Sequence, residues 1–201
     1  MRRWPGLAIG LLLLSALTGC TSGFGDGGPH LPDPTGAAES AAPDAAEAAE
    51  PDAAEAAEAA AAQERAQAWL DAALLPPGAV NSSRPPADFN SYYVWPCTPV
   101  TQIEAFWTVP DVSVAETANW LTQHPTADLI VPQQLHLPEG AGVDGVNVGQ
   151  VPAHEAQEGI VYSVTQTREG VAVRAQIAAM HESATCPSLP PGTSLGGVGQ
   201  G

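Results

Sequence analysis

Apolar and polar residues alternate most regularly in two stretches near the C-terminus, Ile160 to Thr167 and Val171 to Met180. A period of two puts alternate side chains on one face of a strand. Val171, Val173, Ala175, Ile177 and Ala179 make such a face, with Arg174 and Gln176 on the other, and Arg168-Glu169-Gly170 fits a hairpin connection between the two strands. A further strand is predicted where Ile103, Ala105, Trp107 and Val109 alternate with Gln102, Glu104, Phe106 and Thr108. Trp69, Leu70, Ala73 and Leu74 recur instead at helical spacing. Pro51 suits a first helical position, and Asp52 and Glu55 suit the positive end of the helix dipole. A helix is therefore expected from near Pro51 to about Leu75, frayed at its start, where like charges stand three apart. Pro76-Pro77-Gly78 stops it. Ser113-Val114-Ala115-Glu116 is a capping box that opens a second helix, from about Val114 to Gln123, with Trp120 and Leu121 toward the core. Ile130 to Leu137 reads as a short strand interrupted by Pro132, whereas Asn81 to Asn90 and residues 138–157 read as loops.

These elements predict one α+β domain over residues 63–187, a small antiparallel sheet with one or two helices packed on one face. A disordered, acidic, Ala-rich tether of low complexity, residues 20–62, partly helical toward its end, precedes it, and a disordered tail, residues 188–201, follows. The tether contains the repeat PDAAEAAE twice, at Pro43 to Glu50 and Pro51 to Glu58, which offers no apolar face to stack. It reads as a spacer or, more sharply, as an acidic ligand for a basic partner or divalent cations.

The dense hydrophobic run lies elsewhere. Met1-Arg2-Arg3 is a positive start, and Leu7 to Leu17 is an apolar stretch of 11 residues, too short for a bilayer that takes about 20. Leu17-Thr18-Gly19-Cys20 follows and resembles the lipobox of bacterial lipoproteins. That resemblance implies cleavage after residue 19, S-acylation of Cys20 and a chain held at the extracytoplasmic face of the cell membrane. A plain secretory signal and a twin-arginine signal are the other readings, but Trp4-Pro5-Gly6 lacks the rest of the twin-arginine pattern.

Composition adds charge. Six arginines and no lysine stand against 22 acidic residues, and two of those arginines precede Cys20. The chain from Cys20 onward thus has four arginines against 22 acids, a formal charge of -18. Nucleic acid and polybasic membrane contacts need clustered cations, so neither is expected as a partner. Alanine supplies 36 residues, 16 of them between 37 and 62, which inflates the 44% hydrophobic content without defining a core.

The domain also carries a resemblance. Phe106-Trp107-Thr108-Val109-Pro110, Trp120-Leu121, His124-Pro125, the late Val173-Arg174 strand and Leu75-Pro76-Pro77-Gly78-Ala79 are similar to an uncharacterised family of secreted and lipid-anchored proteins of high-GC Gram-positive bacteria. It spans Ala72 to Met180, with Met180 where an aromatic residue is expected, and it implies domain boundaries but no chemistry. With Cys20 assigned to the anchor, Cys97 and Cys186 are the natural disulfide pair of an exported chain.

Candidate chemistry is sparse. Gly140-Ala141-Gly142-Val143-Asp144-Gly145 fits a dinucleotide fingerprint, but a β-branched, Gly-broken segment follows where a helix is required. Gly192-Thr193-Ser194-Leu195-Gly196 fits a nucleophile elbow, yet the five residues after it contain neither acid nor histidine. His154-Glu155, His181-Glu182 and His136 are suitable zinc ligands, without the spacing of a zinc motif. No cofactor, metal or catalytic residue is assigned. Phe89, Tyr92, Tyr93 and Trp95 form the densest aromatic cluster; Tyr92, Tyr93 and Trp95 are candidate ligand contacts for sugars or peptides, with packing as the alternative. The expected function is a non-enzymatic, partner- or ligand-binding envelope protein that meets a cell-wall or envelope partner. The alternative is an envelope hydrolase using Glu104 or Glu158 with His136 or His154.

Overall fold

The alternating stretches form the middle of a five-stranded antiparallel sheet. Its strands are β1 (Val80–Ser82), β2 (Thr98–Pro110), β3 (Gly145–Gln150), β4 (Gly159–Thr167) and β5 (Gly170–Thr185), in the spatial order β1-β2-β5-β4-β3. Two helices, α1 (Ala53–Asp71) and α2 (Val114–Gln123), pack on one face, so the α+β architecture is as the sequence predicts. The computed structural model describes residues 52–200; the signal segment 1–19, Cys20 and the tether up to residue 51 lie outside the described residues.

Register follows from the alternation. Val109 opposes Val171, Trp107 opposes Val173, Ala105 opposes Ala175 and Ile103 opposes Ile177, which sets the apolar residues of β2 and β5 on the same face. Ile160, Tyr162 and Val164 of β4 continue that face, and Ala62, Ala66, Trp69, Val114, Ala118 and Leu121 of the helices cover it. The β4–β5 turn holds Gly170 at φ 141, where a Cβ would overlap the Val109 carbonyl, so only glycine fits.

Several expectations are corrected. α1 begins ten residues before the expected domain boundary at 63: Asp52 caps it, accepting from the Ala54 and Glu55 N–H groups, and Ala62 is already core. Its last turn ends at Asp71 rather than Leu75, leaving Leu74 exposed. Asn81 and Ser82 belong to β1 instead of a loop, and β3 lies inside the segment 138–157 that reads as loop. Ile130 to Leu137 yields a single bridge, Ile130 with Val151. The tail is packed at Val198, 3% exposed, because Gly149 lacks a side chain that would collide with the Val198 carbonyl. Within α2, Leu121 is core as expected, whereas Trp120 is only partly buried and stacks on His124 at 4.2 Å.

Candidate functional site

The sheet face away from the helices is covered by chain without regular structure. Residues 88–97 cross it as a strap, held by two side chains of β5. Gln176, 2% exposed, accepts the Tyr93 N–H through Oε1 and donates Nε2 to the Tyr93 carbonyl, at 3.0 and 3.1 Å. Arg174 donates to the Ser91 carbonyl and to Ser163 Oγ, with its guanidinium 4.9 Å from the Phe89 ring centre and 5.2 Å from that of Tyr92. Burial lowers the Arg174 pKa, opposed by the nearby Glu104 carboxylate and by Tyr92.

The three candidate aromatic contacts therefore part company. Trp95 is 5% exposed and fills a second core with Val151, Val161, Ala178 and Val198, which removes it from any binding surface. Tyr93 is partly buried edge-on against it, ring centres 4.8 Å apart, and burial raises its pKa. Tyr92 remains 62% exposed. Cys97, at the end of the strap, is bridged to Cys186 just beyond β5, with Cα atoms 4.1 Å apart.

The residues considered for hydrolysis do not converge. Glu104 is exposed on the strap side of β2. Glu158 is committed to structure, pairing with Arg65 at 3.3 Å and accepting the Met180 N–H at 2.7 Å. His154 is exposed in the β3–β4 connection, and His136 lines a shallow hollow of about 470 Å³ with Glu116, Trp120 and Glu139. Glu116 is occupied by the capping box: the Ser113 hydroxyl, and then its N–H, hold the carboxyl below the usual range. Among the described residues, no group of three His, Cys, Asp or Glu side chains is placed to hold a metal. Gly140 to Gly145 leads into β3 rather than a helix, so the dinucleotide fingerprint lacks its helix N-terminus.

A second opening is a cleft of about 640 Å³ along β3, an edge strand of the sheet. Pro132, Gln133 and Leu135 line one side; Asn90, Ser91, Val198, Gly199 and Gln200 line another; Asp144 stands at its end. The Gln166 N–H donates to the Asp144 carbonyl at 2.8 Å, so the pair Asp144–Gln166 is a hydrogen-bonded pair of the β3–β4 ladder. In an antiparallel ladder such pairs alternate with pairs whose peptide groups point outward. Gly145, Asn147 and Gly149 fall in the second set and aim their N–H and C=O groups at the cleft. Val151, next in that set, exchanges both bonds with Ile130, at 2.8 and 2.9 Å.

No known protein family, curated protein or solved structure matches this chain. The chemistry of the cleft is that of side-chain amides, a hydroxyl and a strand edge unpaired among the described residues. Sequence reasoning missed it because β3 reads as loop. The available signals were the short alternation Val146-Asn147-Val148 and the proline at 132.

Proposed function

We propose that this protein is a lipid-anchored, non-enzymatic binding module on the extracytoplasmic face of the cell membrane, and that the cleft beside β3 is its binding site. The lipobox supports the anchor: two acyl chains at about 0.8 kcal/mol per buried methylene hold a protein at a membrane where one is marginal. The Cys97–Cys186 bridge supports an oxidising compartment outside the cytoplasm. The observation that carries the binding reading is the cleft itself, a concave site where polar side chains and free peptide groups converge beside Val146, Val148 and Leu135.

Two measurements test this reading. Mass spectrometry of the mature N-terminus should find S-acylated Cys20 as the first residue; a free Cys20 thiol or a different terminus overturns the anchor. Soluble wall fragments and envelope peptides are then tested for a melting shift. The shift expected is one that Gln133→Trp abolishes by filling the cleft, and a ligand that acts equally on that variant places binding elsewhere.

A further inference from the structure

We infer that the cleft receives an extended peptide, neutral or basic, which pairs with Gly145 and Asn147 as an added strand. This rests on the binding reading above and names the ligand class. The Ile130–Val151 pair begins a ladder along this edge. Two residues on, the corresponding pair is Pro132 with Gly149, and proline has no N–H to donate. The chain's own ladder ends there, and residues 133 and 135 run on as cleft wall instead of strand. Val198 and Gly199 lie against Gly149, so the edge left open runs from Gly145 to Val148, roughly 10 Å at ~3.4 Å per residue, enough for three or four residues of a ligand. Unpaired edge groups of this kind are templates for another strand.

The walls and the charge select the occupant. Pro132, Gln133 and Leu135, with Ser91, Val198 and Gln200, wall the edge, which obstructs the approach of a whole sheet edge, so a second copy docking edge to edge is disfavoured. Among the described residues of the lining, Asp144 is the charged one and none is a cation. A peptide with Lys or Arg near that end is favoured, and the acidic segment of this chain ahead of α1 is not.

The test uses the full mature chain in detergent, panned against a displayed library of random peptides of about a dozen residues, with the recovered sequences then synthesised. Asn147→Pro is the decisive variant, because the Asn147 N–H points away from β4 and proline is tolerated at such edge positions. Recovered peptides are expected to be enriched in Lys or Arg and to bind Asn147→Pro at least about tenfold more weakly than wild type. N-methylation at alternate peptide positions should abolish binding, and at the intervening ones should not. That pattern, read on the wild type, decides the matter if Asn147→Pro does not fold. Peptides that bind Asn147→Pro as tightly as wild type, peptides indifferent to N-methylation, or a library that yields no binder overturns the added strand. If wall fragments still shift the melting curve and Gln133→Trp abolishes that shift, the cleft stands as a binding site without the strand; if neither class binds, both readings fall.

Discussion

Gln176 shows what one buried amide contributes when a segment lacks a strand partner. Its side chain gives Tyr93 both the acceptor and the donor that a neighbouring strand would supply, and so fixes the strap to the sheet. Gln176→Leu keeps the volume and leaves two Tyr93 backbone groups unpaired beneath the strap, so it should destabilise the protein by about 2 kcal/mol in urea denaturation. Tyr162 is a different case, a buried phenol whose hydroxyl meets Thr126 Oγ1 at 3.2 Å. Burial pushes its pKa up to about 12, opposed by the hydrogen bond with Thr126. The folded state therefore keeps the proton after the unfolded chain has begun to lose it near pH 10. Stability is full below that pH and falls by about 1.4 kcal/mol per pH unit between pH 10 and 12, because there the unfolded state binds fewer protons. Denaturation curves at pH 9, 10 and 11 should show this slope, and Tyr162→Phe should flatten it while costing about 1 kcal/mol at neutral pH. Part of the slope should persist in that variant, since burial raises the Tyr93 pKa in the same direction.

Helix α1 places its boundary where composition hides it. Ala62 and Ala66 are core residues, yet they look the same in sequence as the exposed Ala60 and Ala61 beside them. Alanine carries too little apolar surface to mark a face, and so packing was signalled only from Trp69 onward, by Trp69, Leu70, Ala73 and Leu74. A chain that starts at residue 63 loses the Asp52 cap and the burial of Ala62, along with the contact in which Ser183 donates to the Glu58 carboxylate. Such a chain should be at least about 2 kcal/mol less stable than one starting at residue 48, measured by thermal and urea unfolding. Other elements were legible for definite reasons. The capping box at Ser113 fixed the start of α2, and the long alternations of β4 and β5 fixed both strands and the hairpin between them. β3 was illegible because a six-residue strand with a glycine near each end owes its form to pairing with β4 more than to its own residues. The cleft went unseen with it. The strap failed for the opposite reason: its aromatics stood out, but nothing in the sequence says that Gln176 and Arg174 hold them against the sheet or that Trp95 is buried and Tyr92 is not.

Across the whole molecule, one covalent link joins what the sheet and the strap share. The Cys97–Cys186 bridge sits where β2 starts and β5 ends, beside the pair Thr98 and Thr185, and joins residues 89 apart in sequence. Closing so long a loop removes entropy from the unfolded chain worth about 4–5 kcal/mol, so the double variant Cys97→Ser, Cys186→Ser should lose up to that amount in denaturation. The same bridge also anchors the end of the strap, whose Asn90 and Ser91 form part of the cleft wall. If its effect lies wholly in the unfolded state, native amide exchange in the double variant rises uniformly with the loss of global stability. If it also pins the native strap, residues 89–96 gain exchange beyond that shared increase, while β4, held between β3 and β5, does not. The second outcome is expected, because Gln176 and Arg174 hold the strap at Tyr93 and Ser91, and its Cys97 end is fixed to the far end of β5 by the bridge. Exchange measured peptide by peptide, oxidised against double variant, separates the two, and a strap that tracks β4 refutes the pinning.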